Sequence, residues 1–393
     1  MGMLGSLALL LVVGFVAGKI MEAFHLPGLV GMLMAGIVLG PYGLALLDSD
    51  LLHISLELRA LALILILLRA GLGLNRSELT KVGRAAIRLS AIPCLFEGTV
   101  VMIVSRWILN FSWAEAGTLG FILAAVSPAV VVPEMLALQE EGYGTNKQIP
   151  TLILGGAAVD DVFAITLFGV FLNLAVDNTV NPVRALAHIP WSIGAGILGG
   201  LVIGAVLLRL FDFKKLETRN TEKLLLTLAA AMLFYEFGQA HEIASLLGVM
   251  AMGFVILEKR ESSAQQFSAK LARVWVFAQV ILFALVGAEV NIHVAIKGGL
   301  LGLAVILIGL VGRSIGVWVA TMGTELNHKE RVFCMIAYLP KATVQAAIGG
   351  LPLASGMESG GLILAIAVLS ILITAPLGAI GIKRSAPRLL EKW

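Results

Sequence analysis

Two adjacent carboxylates, Asp160 and Asp161, lie in the middle of a long apolar stretch, residues 149–176. About 20 apolar residues are enough to cross a bilayer as a helix. An ionisable side chain at that depth is costly, so its default interpretation is a functional site. The pattern predicts a cation or proton site in a cavity. The alternative is a polar pair that hydrogen-bonds between helices, although a single polar residue would fill that role.

The composition is that of a membrane protein. Of the 393 residues, 59% are hydrophobic and 13% are charged, whereas a soluble domain carries about 25% charged residues. We therefore expect an all-α polytopic membrane protein. The sequence contains no Walker loop, no nucleotide-binding fingerprint and no Cys/His metal spacing. An ATP-driven pump or an enzyme is therefore disfavoured, and we expect no cofactor and no nucleic-acid partner.

Hydropathy also predicts how the chain crosses the membrane. Lys and Arg are concentrated in alternate loops and in the C-terminal tail, as with Arg84, Arg88, Arg384 and Arg388. Because cytoplasmic loops are enriched in these residues, we expect the C-terminus to be cytoplasmic and the N-terminus to lie outside. There are about thirteen predicted spans: 3–20, 28–47, 54–73, 87–109, 113–138, 149–176, 189–211, 222–238, 243–258, 270–290, 295–321, 331–353 and 360–382.

Prolines interrupt two of these spans. The fifth contains Pro128 and Pro133, and the twelfth contains Pro340, which is followed by Lys341. Proline removes a backbone donor and clashes with the preceding turn, so both spans are predicted to be broken helices. Broken helices at corresponding positions of two halves indicate a transporter site near the bilayer midplane. Their separation by seven spans predicts two inverted six-helix repeats with crossed broken helices, joined by the seventh span.

Further charges lie deep in other spans. Glu97 lies in the fourth span and Arg313 in the eleventh, at positions that the repeat makes equivalent. A buried Arg needs a carboxylate partner, for which Glu97 and Asp160 are the candidates. We predict that Glu97 and Arg313 form a structural ion pair. Lys341 is predicted to offset the negative C-terminal ends of the broken half-helices.

Five motifs, taken in order, carry a family resemblance. They are GMLMAGIVLGP at 31–41, LRAGLGL at 68–74, VSPAVVVP at 126–133, DD at 160–161 and LPKATVQAA at 339–347. This set resembles the monovalent cation–proton antiporters, in particular the sodium/proton antiporter branch with paired aspartates. The last three motifs resemble the animal sodium/hydrogen exchangers of the mitochondrial-and-sperm type and their bacterial relatives. The resemblance covers nearly the whole chain.

The resemblance implies an architecture and a location. We expect a homodimer embedded in membrane lipids, in the bacterial inner (plasma) membrane, with a core that moves like an elevator. The dimerisation domain would comprise residues 1–86 and 222–294, and the linking helix residues 177–221. The core, or ion-transport domain, would comprise residues 87–176 and 295–393. The implied cargo is Na⁺ or Li⁺, exchanged for H⁺.

Within that site we assign Asp161 as the main ion ligand and proton carrier and Asp160 as the second carboxylate. Together they form the predicted Na⁺ or Li⁺ site, with Ser127 and Thr343 as further oxygen ligands. Related electrogenic exchangers carry Lys where this chain has Arg313, and Arg does not release its proton. The alternatives are a K⁺/H⁺ exchanger on the same fold and an intramembrane aspartyl protease. The protease needs two aspartates on different helices that face one water.

Overall fold

The structure is a computed structural model that describes residues 2–24, 28–74, 76–176, 182–212, 219–241 and 243–393. This part of the chain is nearly all helical, and a single isolated β-bridge joins Tyr143 to Lys392. The described helices are α1 (Met3–Ala23), α2 (Gly28–Leu39), α3 (Ser49–His53), α4 (Ser55–Gly71), α5 (Arg76–Ile108), α6 (Trp113–Leu123), α7 (Pro128–Glu141), α8 (Ile149–Val176), α9 (Pro182–Phe211), α10 (Asn220–Ala240), α11 (Ser245–Lys259), α12 (Glu261–Ala288), α13 (Ile292–Ala320), α14 (His328–Ala337), α15 (Thr343–Ile348), α16 (Leu351–Ala354) and α17 (Gly360–Leu389).

The helices confirm the predicted all-α polytopic class. Among the described residues, eight segments are long and apolar enough to cross a membrane, and shorter apolar helices accompany them. Each predicted span overlaps a helix or a group of short helices, and α8 has the predicted bounds 149–176. The count of thirteen spans remains a prediction, because several of these helices are shorter than a bilayer crossing requires.

Two helices are broken where the prolines predicted. The backbone leaves helical conformation between α6 and α7, at 124–127, and between α14 and α15, at 338–342. Ser127 precedes α7, and Pro128 is its first residue, where a missing N–H costs nothing. The N–H of Ser127 donates to the carbonyl of Pro340 at 2.9 Å. A backbone hydrogen bond therefore joins the two breaks, and the crossed broken helices are confirmed.

Pro133 does not break a helix, contrary to the prediction. It lies inside α7, which continues to Glu141. A proline ring clashes with the carbonyl four residues before it. That carbonyl belongs to Ala129, in the first turn of α7, so little helix stands before Pro133 to be displaced. The break covers residues 124–127 and ends immediately before Pro128, the first residue of α7.

The close approach of α5 and α13 brings the two predicted charged spans together. Gly316 of α13 faces Pro93 of α5, and a Cβ at Gly316 would lie 2.6 Å from the Cα of Pro93. Only a residue without a side chain allows this contact. Glu97 lies one turn after Pro93, and Arg313 lies three residues before Gly316, so the same contact faces their side chains toward each other.

The described helices have distinct sets of close packing partners. α8 packs on α5, α6 and α7, and α13 packs on α5 and α17. α2 packs on α1 and α12, while α11 packs on α4 and α9. The division into a core and a dimerisation domain remains a prediction. Residues 177–181 and 213–218, which belong to the predicted linking segment 177–221, lie outside the described residues.

Replacement of Gly316 by Ala is expected to destabilise the protein. The new methyl group would push α5 and α13 apart, and overpacking of this kind costs about 1–3 kcal/mol. The matched control is Gly169→Ala in α8, where a Cβ meets nothing within 4 Å. The control should be neutral or stabilising, because Ala favours helix by about 0.5–1 kcal/mol over Gly. Thermal melting of both purified variants in detergent tests this, and equal melting temperatures would contradict it.

Candidate ion-binding site

Asp160 is fully buried, and both of its oxygens accept hydrogen bonds from protein donors. Its two oxygens accept hydrogen bonds from Nη2 of Arg313 at 3.0 and 3.1 Å. Oδ2 also accepts the backbone N–H of Val126 at 2.8 Å. Val126 lies in the break before α7, where backbone N–H groups lack helical partners. The first broken helix and α13 therefore hold Asp160 from two directions.

Arg313 is equally buried and has two carboxylate partners. Its Nη1 donates to Oε2 of Glu97 at 2.9 Å, which is the pairing predicted from the sequence. Its Nη2 reaches Asp160, which was the other candidate. Nη1 also donates to the carbonyl of Ala124, at the C-terminal end of α6. One guanidinium thus connects α5, α6 and α8, which suits a planar group with five fixed donors.

Lys341 completes the charged cluster. Its Nζ donates to Oε2 of Glu97 at 2.6 Å, and both side chains are almost fully buried. Its backbone N–H donates to the hydroxyl of Thr374 on α17 at 2.9 Å. Glu97 is therefore shared by two cations, a pairing that the sequence analysis did not anticipate for Lys341.

These four residues form a chain of alternating charge in the order Asp160, Arg313, Glu97, Lys341. Two carboxylates and two cations cancel, so the buried cluster is formally neutral. Neutrality matters because an uncompensated charge at this depth is strongly unfavourable. No proton or metal ion is required to balance these four side chains.

Asp161 stands outside this neutral cluster. It is half-buried, and within the described part of the chain its Oδ1 is buried and has no hydrogen-bond partner. Adjacent residues on a helix point about 100° apart, which separates Asp161 from the donors that hold Asp160. The adjacent carboxylates are therefore not equivalent. Asp160 is held by the protein, and Asp161 has an oxygen available to an ion or a proton.

The two predicted hydroxyl ligands lie at the crossing of the broken helices. Ser127 Oγ and Thr343 Oγ1 are 3.5 Å apart; Ser127 is fully buried and Thr343 is half-buried. Each stands at the N-terminal end of a half-helix, α7 or α15. The structure thus brings these two oxygens together, whereas their roles as ion ligands remain predictions.

Side chains of Gln345 and Arg313 bind the carbonyl groups at the C-terminal end of α6. Gln345 donates from Nε2 to the carbonyls of Ile122 and Ala125, at 2.9 and 3.0 Å. Arg313 covers the carbonyl of Ala124. The ammonium of Lys341 is hydrogen-bonded to Glu97, and its compensation of the charge at the half-helix ends stays a prediction. Gln345 was missed because it is uncharged, although it lies inside the 339–347 motif.

Crossed broken helices, a buried network of charges and a carboxylate with an available oxygen define a membrane transporter of the ion-exchanger class. A solved structure of the sodium proton antiporter MjNhaP1 from Methanocaldococcus jannaschii at pH 8 matches this fold with a TM-score of 0.78. The match covers 98% of each chain at 21% sequence identity.

Residues 7–386 match the family model "Sodium/hydrogen exchanger, transmembrane", and the chain belongs to this family. Sodium/hydrogen exchanger 9B2 from Homo sapiens is 34% identical, over 100% of this chain and 76% of the relative. Sodium/hydrogen exchanger 9B2 from Xenopus tropicalis is 35% identical, over 99% and 75%. Sodium/hydrogen exchanger 9B1 from Homo sapiens is 32% identical, over 100% and 79%. The resemblance seen in the sequence motifs is confirmed.

The pairing of Glu97 and Arg313 predicts non-additive stability effects. Glu97→Ala leaves two cations without their shared carboxylate, and Arg313→Ala leaves two carboxylates without a guanidinium. Each single change should cost about 3–5 kcal/mol, as for other broken buried pairs. The double variant leaves Asp160 and Lys341, whose charges cancel, so it should melt well above the additive expectation.

A double-mutant cycle of melting temperatures in detergent measures this coupling. The control cycle uses Arg69 and Glu140, an ion pair in which the Glu140 side chain is 68% exposed. Exposed pairs contribute about 0–1 kcal/mol, so that cycle should be nearly additive. Additivity at Glu97 and Arg313 would show that the two charges do not stabilise each other.

Proposed function

We propose that this chain is a secondary antiporter that exchanges Na⁺ or Li⁺ for H⁺ and that Asp161 binds both. The main support is a difference between two parts of the site. The four ion-paired side chains have no net charge, whereas Asp161 has a buried oxygen that no described residue binds. A carboxylate in apolar surroundings needs a proton or a cation to offset its charge. Because one carboxylate accepts either partner and not both at once, binding of one releases the other.

Family membership supports sodium as the first cation to test. The 9B1 and 9B2 relatives are sodium/hydrogen exchangers by name, and the structural neighbour is a sodium proton antiporter by name. Na⁺ and Li⁺ are hard cations that favour oxygen ligands. We propose Asp161, Ser127 and Thr343 as ligands, with Asp160 as the second carboxylate. The chain would then act as a transporter and catalyse no covalent reaction.

The geometry gives less support to the alternative functions. A K⁺/H⁺ exchanger would use the same carboxylate, so it is an outcome of the cation test below. An aspartyl protease needs two carboxylates on one water. Here Asp160 is paired with Arg313 through both oxygens, which leaves Asp161 without a catalytic partner on that side.

We also propose how the chain works in its membrane. It would form a homodimer in the bacterial plasma membrane, with the N-terminus outside and the C-terminus cytoplasmic. The core at 87–176 and 295–393 would carry the site across by an elevator-like movement. The hydrogen bond between Ser127 and Pro340 would help the two halves of that core to move together.

Asp161→Asn is expected to abolish exchange, because an amide neither carries a proton nor offsets a cation. Its melting temperature should stay equal or rise, since an uncompensated charge is removed. The measurement is dye-reported H⁺ movement in proteoliposomes after separate additions of Na⁺, Li⁺ and K⁺. Exchange by this variant at the wild-type rate would remove Asp161 from the mechanism.

Two further variants make this test specific. Asp160→Asn, the identical change one residue earlier, should lower the melting temperature, because it removes a carboxylate that faces Arg313. It should also weaken ion affinity while slow exchange persists. Asp50→Asn, at an exposed position in α3, should behave as wild type in both measurements. A response to K⁺ alone would identify the K⁺/H⁺ alternative.

Exchange is expected to be close to electroneutral. Asp160 remains paired with Arg313, which does not release its proton, so Asp161 alone would exchange one H⁺ for one Na⁺. Na⁺-driven H⁺ flux should therefore not respond to a membrane potential set by K⁺ and valinomycin. A flux that follows the imposed voltage would mean that a second group, such as Lys341, also gives up its proton.

A further inference from the structure

Tyr338 lies directly beside the charged cluster and was not among the predicted site residues. It follows α14 at the start of the second break and is fully buried. The guanidinium carbon of Arg313 lies 5.3 Å from the centre of its ring. A guanidinium at this distance over an aromatic face is attracted to the ring electrons, more strongly where water is excluded.

The contact with the ring adds to the hydrogen bonds that hold Arg313, because it does not use the N–H groups of the guanidinium. Nη1 and Nη2 donate hydrogen bonds to Glu97 and Asp160, whereas the guanidinium carbon lies over the face of the Tyr338 ring. In the part of the chain that is described, Nε of Arg313 has no hydrogen-bond partner. The hydrogen bonds of Nη1 and Nη2 hold the guanidinium in place, and the ring of Tyr338 adds a further contact that opposes its displacement.

A displaced guanidinium could pair with a different carboxylate, because Asp161 is adjacent to Asp160. Arg313 is paired with Asp160, while Asp161 is the neighbouring residue with a buried oxygen available. A guanidinium free to shift would be drawn to Asp161 as well. Arg313 would then compete with the transported cation for the same carboxylate.

Gly156 leaves the space that the hydroxyl of Tyr338 occupies. It lies one turn before Asp160 on α8, and a Cβ there would overlap the hydroxyl of Tyr338. That hydroxyl is buried and, among the residues described, has no hydrogen-bond partner. The position of the ring thus depends on space left by a glycine, not on a hydrogen bond made by the phenol.

We propose that Tyr338 is a positioning residue whose ring holds Arg313 on Asp160 and so keeps Asp161 available to the transported cation. The inference rests on the proposed antiport function. In this inference the aromatic ring of Tyr338, and not its hydroxyl, holds Arg313 in place.

Tyr338→Leu should raise the KM for Na⁺ in proteoliposomes about tenfold, which corresponds to about 1.4 kcal/mol. The maximal rate should fall less, because Asp161 is retained. Tyr338→Phe keeps the ring and should stay within about twofold of the wild-type KM. Phe333→Leu truncates a different fully buried aromatic residue, which lies within α14. It should lower the melting temperature and leave the KM unchanged.

Gly156→Ala provides a second route to the same displacement. Its methyl group would push the hydroxyl away and should raise the KM as Tyr338→Leu does. In the double variant with Tyr338→Phe the hydroxyl is gone, so the KM should recover. The Cβ of Leu89 would still lie 2.9 Å from the new methyl, so the melting temperature should remain low. Recovery of affinity without recovery of stability is not expected from a merely structural effect.

The outcomes separate this inference from the proposed function. A wild-type KM for Tyr338→Leu would overturn the inference while leaving antiport intact, and equal losses in Leu and Phe would assign the effect to the hydroxyl. If the wild type shows no exchange, the proposed function fails. A double-mutant cycle of melting temperatures with Tyr338→Leu and Arg313→Met still tests the contact between the two side chains. Coupled effects would support the contact, and additive effects would overturn the inference.

Discussion

The shared carboxylate of Glu97 is the contact on which the rest of the site depends. It accepts hydrogen bonds from Arg313 on α13 and from Lys341 in the break between α14 and α15, both in the second half of the chain. Without it, two cations would be buried side by side in an apolar interior, a strongly unfavourable arrangement. With it, Arg313 is left free at its other edge to pair with Asp160. The four side chains of the cluster are therefore paired in charge, whereas Asp161 lies outside this pairing.

The site also depends on the broken helices, because they place polar backbone groups inside an apolar bundle. Helix ends expose unsatisfied N–H and carbonyl groups, and burial of these groups is tolerated where protein partners bind them. Gln345 and Arg313 satisfy the end of α6, and Asp160 accepts the N–H of Val126. The same contacts fasten the breaks to one another, so the site is built from both halves of the chain.

Two identical neighbouring side chains acquire different properties from this arrangement. Asp160 accepts hydrogen bonds from Arg313 and from the backbone of Val126. Asp161 points in another direction and has a buried oxygen that no described residue binds. The difference arises from the 100° step between successive residues on a helix. The role that we propose for Tyr338 and Gly156 depends on this difference, because the ring that lies beside Arg313 occupies space left by the glycine.

The sequence by itself determined the helical membrane architecture, because hydropathy and proline act over short distances along the chain. It identified the breaks near Pro128 and Pro340, the cost of burying Asp160 and Asp161, and the need of Arg313 for a carboxylate. Only the tertiary structure decided how the charges are shared. The contact between Lys341 and Glu97 depends on how helices far apart in sequence approach one another. That approach is set by packing at contacts such as Gly316 with Pro93, which no local pattern encodes.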